Sequence, residues 1–445
     1  MTSIKRKIQN FIYDKSFLEI LTGSAWALSA RVIATLLGVV TNIIIARCYG
    51  AEIIGIVAIL NSFLALATIF TVLGTNTSIL RLIPEHLIKY SPTSAFKIYR
   101  KTMYFVAGVS LITGSILFFG SGFIADSIFS KPHLQFYFGL SAMFIIFGSL
   151  NVLNTQAVRG VRLIRVFAFL QLLPSLCRLI ILVPITLFFF QQDNPIYATF
   201  AAITVSALAG TWIMNRAFKQ KSGPNDSLHA MSLKEILTIS IPMLMTSTMT
   251  FVIGQTGVIM LGIFRSEAEV GYYAIAVSIA SLTVFVLKAV NSMAGPKFSE
   301  LYHSDKLDEL FHVAKKSAKL IFWITVPILF FLIFFGKQLL SQIYGPDFSV
   351  AYWAMVLLIL GQFINSISGA TGLFMNMTGN QNMFRNFVFI ATLINIGLNI
   401  LLTPTYGLYG AATAGMVSLM VWNIATLCYI KLRYGKTTGY FPILA

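Results

Sequence analysis

Three basic side chains lie in the middle of apolar stretches long enough to cross a membrane: Arg31, Arg178 and Lys288. A cation at the centre of a bilayer costs roughly 2.5–3.5 kcal/mol on insertion scales, so such residues usually face a cavity or a ligand. All 15 Asp and Glu fall in predicted loops or at predicted helix ends, which leaves these cations without an acidic partner inside the membrane. Uncompensated positive charge at this depth predicts an anionic substrate. A guanidinium group binds two phosphate oxygens at once through parallel hydrogen bonds.

Each of the three cations also has a purely structural interpretation. Arg31, ten residues into its predicted helix, could donate to carbonyls of a neighbouring helix. Arg178 lies between Pro174 and Pro184, whose missing N–H groups leave carbonyls free to accept from it. Lys288 is predicted two turns from the inner end of its helix, within reach of the interface.

Three further residues are candidates for substrate contact. Arg47 closes the first predicted helix at the outer surface, where an interfacial role is the alternative. Gln255 and Asn291 occupy helices that begin the second half of the chain, where their amides could meet sugar hydroxyls. Other intramembrane amides, among them Asn61, Asn151 and Asn154, are expected mainly to join helices by hydrogen bonds.

Apolar composition dictates the elements that position these residues. The 445 residues are 57% hydrophobic and 11% charged, with a mean hydropathy of +0.81, a composition typical of a membrane protein. We predict an all-α membrane protein with twelve transmembrane helices of about 20 residues. They lie near residues 21–46, 52–74, 102–120, 134–157, 163–190, 196–215, 236–262, 271–295, 319–336, 351–376, 384–403 and 408–430.

The distribution of charge predicts the orientation. With both termini in the cytoplasm, inside loops and tails carry 25 of the 32 Lys and Arg, and outside loops carry four. This is the positive-inside pattern of a multi-pass protein of a bacterial or archaeal cytoplasmic membrane. The net charge of +17 is therefore interpreted as a topology signal and a contact with anionic membrane lipids, and not as a nucleic-acid site.

The chain repeats itself. Residues 19–60 aligned without gaps on residues 235–276 give 11 identities in 42 positions, including Glu19 with Glu235, Gly38 with Gly254 and Gly55 with Gly271. We predict two parallel six-helix halves, residues 1–220 and 236–445, joined by a cytoplasmic linker at 221–235. Halves related by an axis along the membrane normal enclose a central cavity, and rocking one against the other gives alternating access.

Several kinds of chemistry find no support. The five histidines have no metal-ligand spacing, and there is no phosphate-binding loop or dinucleotide fingerprint, so we expect no metal, no cofactor and no enzymatic activity. A polysaccharide polymerase or glycosyltransferase is a weaker hypothesis, because the predicted outer loops are too short to house a catalytic site.

Several stretches resemble the oligosaccharide or O-antigen-type polysaccharide flippases of the multidrug/oligosaccharidyl-lipid/polysaccharide exporter superfamily. They are ARCYGAEIIGIVAIL (46–60) followed by Arg81, VIMLGIFRSEAEVGYYAIA (258–276), Pro296-Lys297-Phe298-Ser299, and NIGLNILLTPTYGLYGAATAG (395–415). The resemblance implies flipping of an undecaprenyl-pyrophosphate-linked oligosaccharide from the inner to the outer leaflet for surface polysaccharide biosynthesis. It also implies a cationic central cavity, and a polysaccharide polymerase is a candidate partner.

One position departs from that family. Relatives often carry an Asp in the seventh helix where this chain has Gly257, which weakens any expectation of ion coupling through that acid. A cation-coupled multidrug exporter of the same superfamily is the main alternative function. It is disfavoured because cationic drugs and protons normally need an intramembrane Asp or Glu, and none is predicted.

Overall fold

The computed structural model describes residues 15–219 and 231–440, and throughout these ranges the ordered elements are helices. Long apolar runs explain this, because a chain in hydrocarbon must satisfy its backbone groups within each segment. Fourteen helices carry the fold: α1, Lys15–Val72; α2, Thr75–Lys89; α3, Pro92–Phe119; α4, Gln135–Gly160; α5, Ile164–Phe188; α6, Asn194–Lys219; α7, Leu233–Phe264; α8, Glu267–Ser281; α9, Val284–His303; α10, Leu307–Leu339; α11, Tyr352–Ser368; α12, Thr371–Met377; α13, Gln381–Tyr406; and α14, Leu408–Tyr434. Short turns of helix also occur at Ser121–Phe123, Ile124–Ile128, Pro132–Leu134, Leu340–Tyr344 and Pro346–Ala351.

Helix α1 is two helices joined by a break. At 1.5 Å per residue its 58 residues would extend about 87 Å, far more than the roughly 30 Å of a hydrocarbon core. Gly50 has φ 83° and ψ 179°, a conformation that glycine adopts without steric cost. The chain therefore turns here, between a first arm (15–49) and a second arm (51–72).

Contacts between loops define two faces of the bundle. At one, which we call the Gly50 face, Tyr49 bonds Thr186 over 2.7 Å, Lys131 bonds the carbonyl of Arg265 over 2.7 Å, and Arg265 bonds the carbonyl of Pro404 over 2.8 Å. At the other, the Val72 face, Ser78 bonds Ser240 over 2.6 Å and Lys101 bonds the carbonyl of Met231 over 2.9 Å. The helices run between these faces.

The second arm of α1 and helix α8 approach each other reciprocally. A Cβ built on Gly55 would lie 1.7 Å from the carbonyl oxygen of Glu267, and one on Gly271 would lie 2.0 Å from the carbonyl oxygen of Ala51. The alignment that pairs Glu19 with Glu235 also pairs Gly55 with Gly271 and Ala51 with Glu267. Each contact is thus the counterpart of the other, as in an interface around a twofold axis.

The largest buried cluster joins residues from both sides of the linker. One cluster combines Ile53 and Ile59 of α1 with Leu261, Ile275 and later residues of α8, α11 and α14. Two other clusters draw on one side of the linker only, residues 72–218 and residues 294–430, and a small one joins Leu82 and Ile98 to Ile236 across the linker. The parts of the chain before and after the linker therefore share their largest buried cluster around the second arm of α1 and α8, with a smaller contact of α2 and α3 with α7 at the Val72 face.

The all-helical membrane fold predicted from the sequence is confirmed. Nine described helices are long and apolar enough to cross a membrane, or ten if the pair Glu267–Ser281 and Val284–Asn291, bent by 42°, is one span. Exposed aromatic side chains such as Phe119, Phe188 and Phe334 give the bundle an apolar outer surface suited to lipid. The count of twelve and the two halves stay predictions, and most of the linker (220–230) lies outside the described residues.

Candidate functional site

Arg178 is the least satisfied charged side chain of the described region. It lies mid-way along α5, and its Nε and one terminal nitrogen (Nη2) are buried without a hydrogen-bond partner among the described residues. The carbonyls that Pro174 and Pro184 leave free do not accept from these two atoms. A buried donor without a partner costs about 1–3 kcal/mol, and more when it is charged, so the site is suited to an anionic ligand.

The packing of α5 fixes the depth of this guanidinium. Tyr49 and Thr186 meet at one end of the first arm and α5, and Arg165 lies over the ring of Trp26 at the other end, 6.0 Å from its centroid. The two helices therefore run parallel. Arg178 lies eight residues before Thr186, about 12 Å from that contact along the helix.

Arg31 and Lys288 form a second positive group. Arg31 is exposed on the first arm, five residues after Trp26, and is close enough to Lys288 of α9 for their charges to repel. Trp26 and Arg165 face each other at the same level. Arg31 is five residues beyond Trp26 and Arg178 is thirteen residues beyond Arg165, so Arg31 lies about 12 Å nearer the Val72 face than Arg178. The structure thus brings two of the predicted cations within range of electrostatic repulsion and places the third at a different level.

The surroundings of Lys288 differ from the sequence expectation. Its helix was predicted to end near residue 295, two turns beyond the lysine, but α9 continues to His303. The route by which Lys288 was expected to reach the interface is therefore longer, about 22 Å along the helix. No ion pair among the described residues involves Arg31, Arg178 or Lys288, so their positive charge is not neutralised within the described protein.

Arg47 is engaged with the protein itself. Its Nε donates to the carbonyl of Ile343 over 2.9 Å, and a terminal nitrogen donates to the carbonyl of Gln342. These carbonyls belong to the turn that follows α10, so the contact links the first arm to the second part of the chain at the Gly50 face. Substrate contact by Arg47 stays a prediction, and the bonds that it makes are structural.

The predicted amides divide into two groups. Gln255 accepts a bond of 2.8 Å from Ser62, and Asn154 and Asn395 bond side chains and carbonyls of adjacent helices. The Oδ1 atom of Asn291 and the Oε1 atom of Gln171 are instead buried without a partner among the described residues. Gln171 is two turns before Arg178 on the same face of α5, a neighbour that the sequence analysis did not select.

Gly257 has a packing role. A Cβ at this position would lie 2.4 Å from the hydroxyl of Tyr273, whose side chain is buried. An Asp here would require the Tyr273 ring to move, so a glycine at position 257 fits the contact between α7 and α8. No group of three potential metal ligands occurs in the described parts of the chain.

An ion pair that the sequence did not point to lies at the Gly50 face. Lys131, before α4, contacts Glu267, at the start of α8, over 3.3 Å, and both side chains are only 11% exposed. His133 is 3.0 Å from the same carboxylate. Residues more than 130 positions apart carry no sequence signal of such a pairing, and the tertiary structure alone brings them together.

Comparisons with known proteins agree with this architecture. The "probable low-salt glycan biosynthesis flippase Agl15" of Haloferax volcanii is 22% identical over 185 residues, or 40% of this chain and 39% of that protein. The match thus spans well under half of the relative's length. Among solved structures, the lipid II flippase MurJ in an inward closed conformation has a TM-score of 0.73 at 15% identity, covering 90% of this chain and 86% of that one.

A second solved structure of similar fold is a multidrug transporter, the class named above as the alternative function. An inward-facing multidrug resistance transporter of the MATE family in the MOP superfamily has a TM-score of 0.67 at 17% identity, covering 92% of this chain and 98% of that one. At these identities both structures establish the fold alone. The sequence profile of the family described as "Polysaccharide biosynthesis protein" matches residues 44–352, more than two-thirds of the chain. The resemblance noted in the sequence is confirmed, and the chain belongs to the polysaccharide biosynthesis protein family.

Proposed function

We propose that this protein is a flippase that moves an undecaprenyl-pyrophosphate-linked oligosaccharide from the inner to the outer leaflet of a cytoplasmic membrane. It would serve surface polysaccharide biosynthesis, with a polysaccharide polymerase as a candidate partner. Family membership and the partial match to a probable glycan flippase support this choice. The Gly50 face would be the outer one, as the distribution of Lys and Arg predicts.

The observation that carries the proposal is the buried guanidinium of Arg178, two of whose nitrogens have no partner among the described residues, together with the positive charges of Arg31 and Lys288 at another level of the bundle. A pyrophosphate offers several anionic oxygens, and guanidinium groups bind such oxygens through paired charge-assisted hydrogen bonds. The polyprenyl tail would remain in lipid while the headgroup crosses. An inside-negative potential favours outward movement by roughly 2.3 kcal/mol per negative charge at 100 mV.

The mechanism is alternating access between two six-helix halves. Twelve crossings are the interpretation that best fits the helix bounds, with the arms of α1 as two spans and α8 with α9 as one. The reciprocal contacts of Gly55 and Gly271 support related halves, and the largest buried cluster, around the second arm of α1 and α8, supports a state closed on the outer side.

The test is the leaflet distribution of the polyprenyl-pyrophosphate glycan in cells that lack this protein. We expect the glycan to accumulate in the inner leaflet, with relief by the wild type but not by Arg31→Ala. Lys337→Ala, which removes an exposed lysine near the end of α10, is the matched control and should complement fully. Unchanged glycan distribution in the deleted strain would rule out the flippase proposal. Full activity of Arg31→Ala, Arg178→Ala and Lys288→Ala would rule out the cationic cavity.

The alternative is a cation-coupled multidrug exporter, and the shared fold favours it. Against it, no Asp or Glu lies in the middle of a described membrane helix, and Tyr273 occupies the space that an acid at position 257 would need. Export of cationic dyes by the purified protein, sensitive to a sodium or proton gradient, would favour this alternative.

A further inference from the structure

The part of the chain before the linker contains a cavity of about 320 Å³. Its walls are the second arm of α1, helix α4 and Ile203 of α6, with Leu244 of α7 at one side. The volume is within the range of about 300–1,000 Å³ that is usual for small-molecule sites. We call it the amide chamber, because Asn61, Asn76 and Asn151 are among the residues that line it.

These three amides share one feature. None of them has a side-chain hydrogen bond to another described residue, none is fully buried, and all three line the chamber. By contrast, Asn154 on α4 is buried and bonds Tyr99 and Thr211 over 2.8 Å each. The chain thus satisfies Asn154 internally and leaves the chamber amides free.

Free amides at this depth require a polar occupant. Removing an amide from water without a new hydrogen bond costs roughly 1–3 kcal/mol on protein scales. Each amide offers both donors and an acceptor, which is the combination that sugar hydroxyls and acetamido groups match. The described residues that line the chamber carry no charge, so a pyrophosphate has no counter-ion there.

The chamber is elongated along the helix axes. Asn61 is eleven residues beyond Gly50, and Thr68 is seven residues further, facing Gly148 near Asn151. This places the amides over about 10 Å between mid-membrane and the Val72 face. Arg178 lies at about the same depth as Asn61. Thr186 of α5 contacts Tyr49 next to Gly50, and Arg178 precedes Thr186 by eight residues, so both Arg178 and Asn61 are roughly ten residues from the level of Gly50.

We propose that the amide chamber is the site that holds the sugar portion of the substrate, separate from the cations that hold its pyrophosphate. The inference rests on the proposed function and adds a division of labour. The cations give affinity for any polyprenyl pyrophosphate, and the chamber discriminates the glycosylated lipid from the bare one.

The test compares two probes with the full chain in nanodiscs. One is undecaprenyl pyrophosphate, and the other is the lipid-linked glycan fraction extracted from the producing cells. The variant Asn61→Leu/Asn151→Leu keeps the branched shape of the side chain and removes both amides. We expect its Kd for the glycan-bearing probe to rise about tenfold, as for two lost hydrogen bonds, with the Kd for the bare lipid unchanged. Arg178→Gln should weaken binding of both probes.

Two controls separate this role from folding. Thr204→Val on α6 is isosteric and removes a hydroxyl that bonds its own helix outside the chamber; it should bind both probes as the wild type does. Ala65→Phe fills the chamber and leaves the three Asn residues in place. It should also weaken binding of the glycan-bearing probe selectively, which provides a second test if the double variant misfolds.

The outcomes are distinct. If the Leu and Phe variants lose affinity for both probes equally, or for neither, the proposed role of the chamber is wrong and the chamber is a hydrated cavity. Equal affinity of the wild type for both probes would overturn it as well, while the flippase proposal stands. Failure of the wild type to bind either probe would overturn the proposed function, and the chamber with it.

Discussion

At the scale of single residues, Arg178 combines a stability cost with a proposed role. Its buried nitrogens have no partner among the described residues, so the folded protein carries a desolvation penalty that a ligand would offset. We expect Arg178→Met to raise the free energy of unfolding by about 1–3 kcal/mol and to abolish flipping. Thermal melting in detergent and the leaflet assay measure the two effects. Arg178→Lys, which keeps the charge without the planar fork, should retain partial transport. A destabilised Arg178→Met would contradict this account.

Arg47 is expected to behave in the opposite way. Because its guanidinium already donates to the carbonyls of Gln342 and Ile343, Arg47→Ala should lower stability by about 1.5–3 kcal/mol and leave the affinity for undecaprenyl pyrophosphate unchanged. A melting curve and a binding isotherm in nanodiscs test this. Weaker binding with unchanged stability would return Arg47 to the substrate site, where the sequence analysis had placed it.

At the scale of elements, the crossing of α1 and α8 depends on two glycines. A Cβ at Gly55 would overlap the carbonyl of Glu267, so Gly55→Ala should force the helices apart and destabilise the protein by about 1–3 kcal/mol. Gly271→Ala should do the same, because its contact is the reciprocal one. Melting temperatures of both variants measure the effect.

The repeat supplies a matched control for that prediction. Gly38 and Gly254 are also paired by the repeat, but a Cβ on either would meet nothing within 4 Å. Replacing these glycines by Ala within a helix should be neutral or stabilising by roughly 0.5–1 kcal/mol. If Gly55→Ala were as well tolerated as Gly38→Ala, the close approach would not be a determinant of the fold.

At the scale of the whole molecule, the Lys131–Glu267 pair holds the two parts of the chain together at the Gly50 face. Glu267→Lys would place two positive charges in contact in a mostly buried site, so we expect this face to open. Spin labels at Asp126→Cys and Asp347→Cys, both exposed near this face, should move apart by several ångströms in a background without the native cysteines.

The exchange of the two charges is the decisive comparison. Lys131→Glu/Glu267→Lys restores an ion pair of the opposite direction, so the label distance should return towards that of the wild type. A distance that is the same in all three proteins would mean that packing of α1 against α8, and not the ion pair, keeps the face closed. A distance that stays long in the exchanged protein would mean that the site tolerates only the native direction.

The sequence by itself determined the membrane class and the approximate positions of several helices, and it singled out three cations. Apolar runs of this length have one stable form in a bilayer, which is why the positions of α4, α6, α13 and α14 were predicted within a few residues of their bounds. Arg31, Arg178 and Lys288 were selected because the cost of burying a cation in a bilayer does not depend on the details of packing.

Only the tertiary structure decided which polar groups are satisfied. The identity of a side chain does not reveal its partner, so the sequence treated Asn61, Asn151 and Asn154 alike, and the fold pairs Asn154 while it leaves Asn61 and Asn151 lining a cavity. Arg47 was grouped with the substrate cations for the same reason, although carbonyls of a turn almost 300 residues away accept its hydrogen bonds. Hydrogen bonds act over about 3 Å, and distances of that size between remote residues are set by how the helices pack.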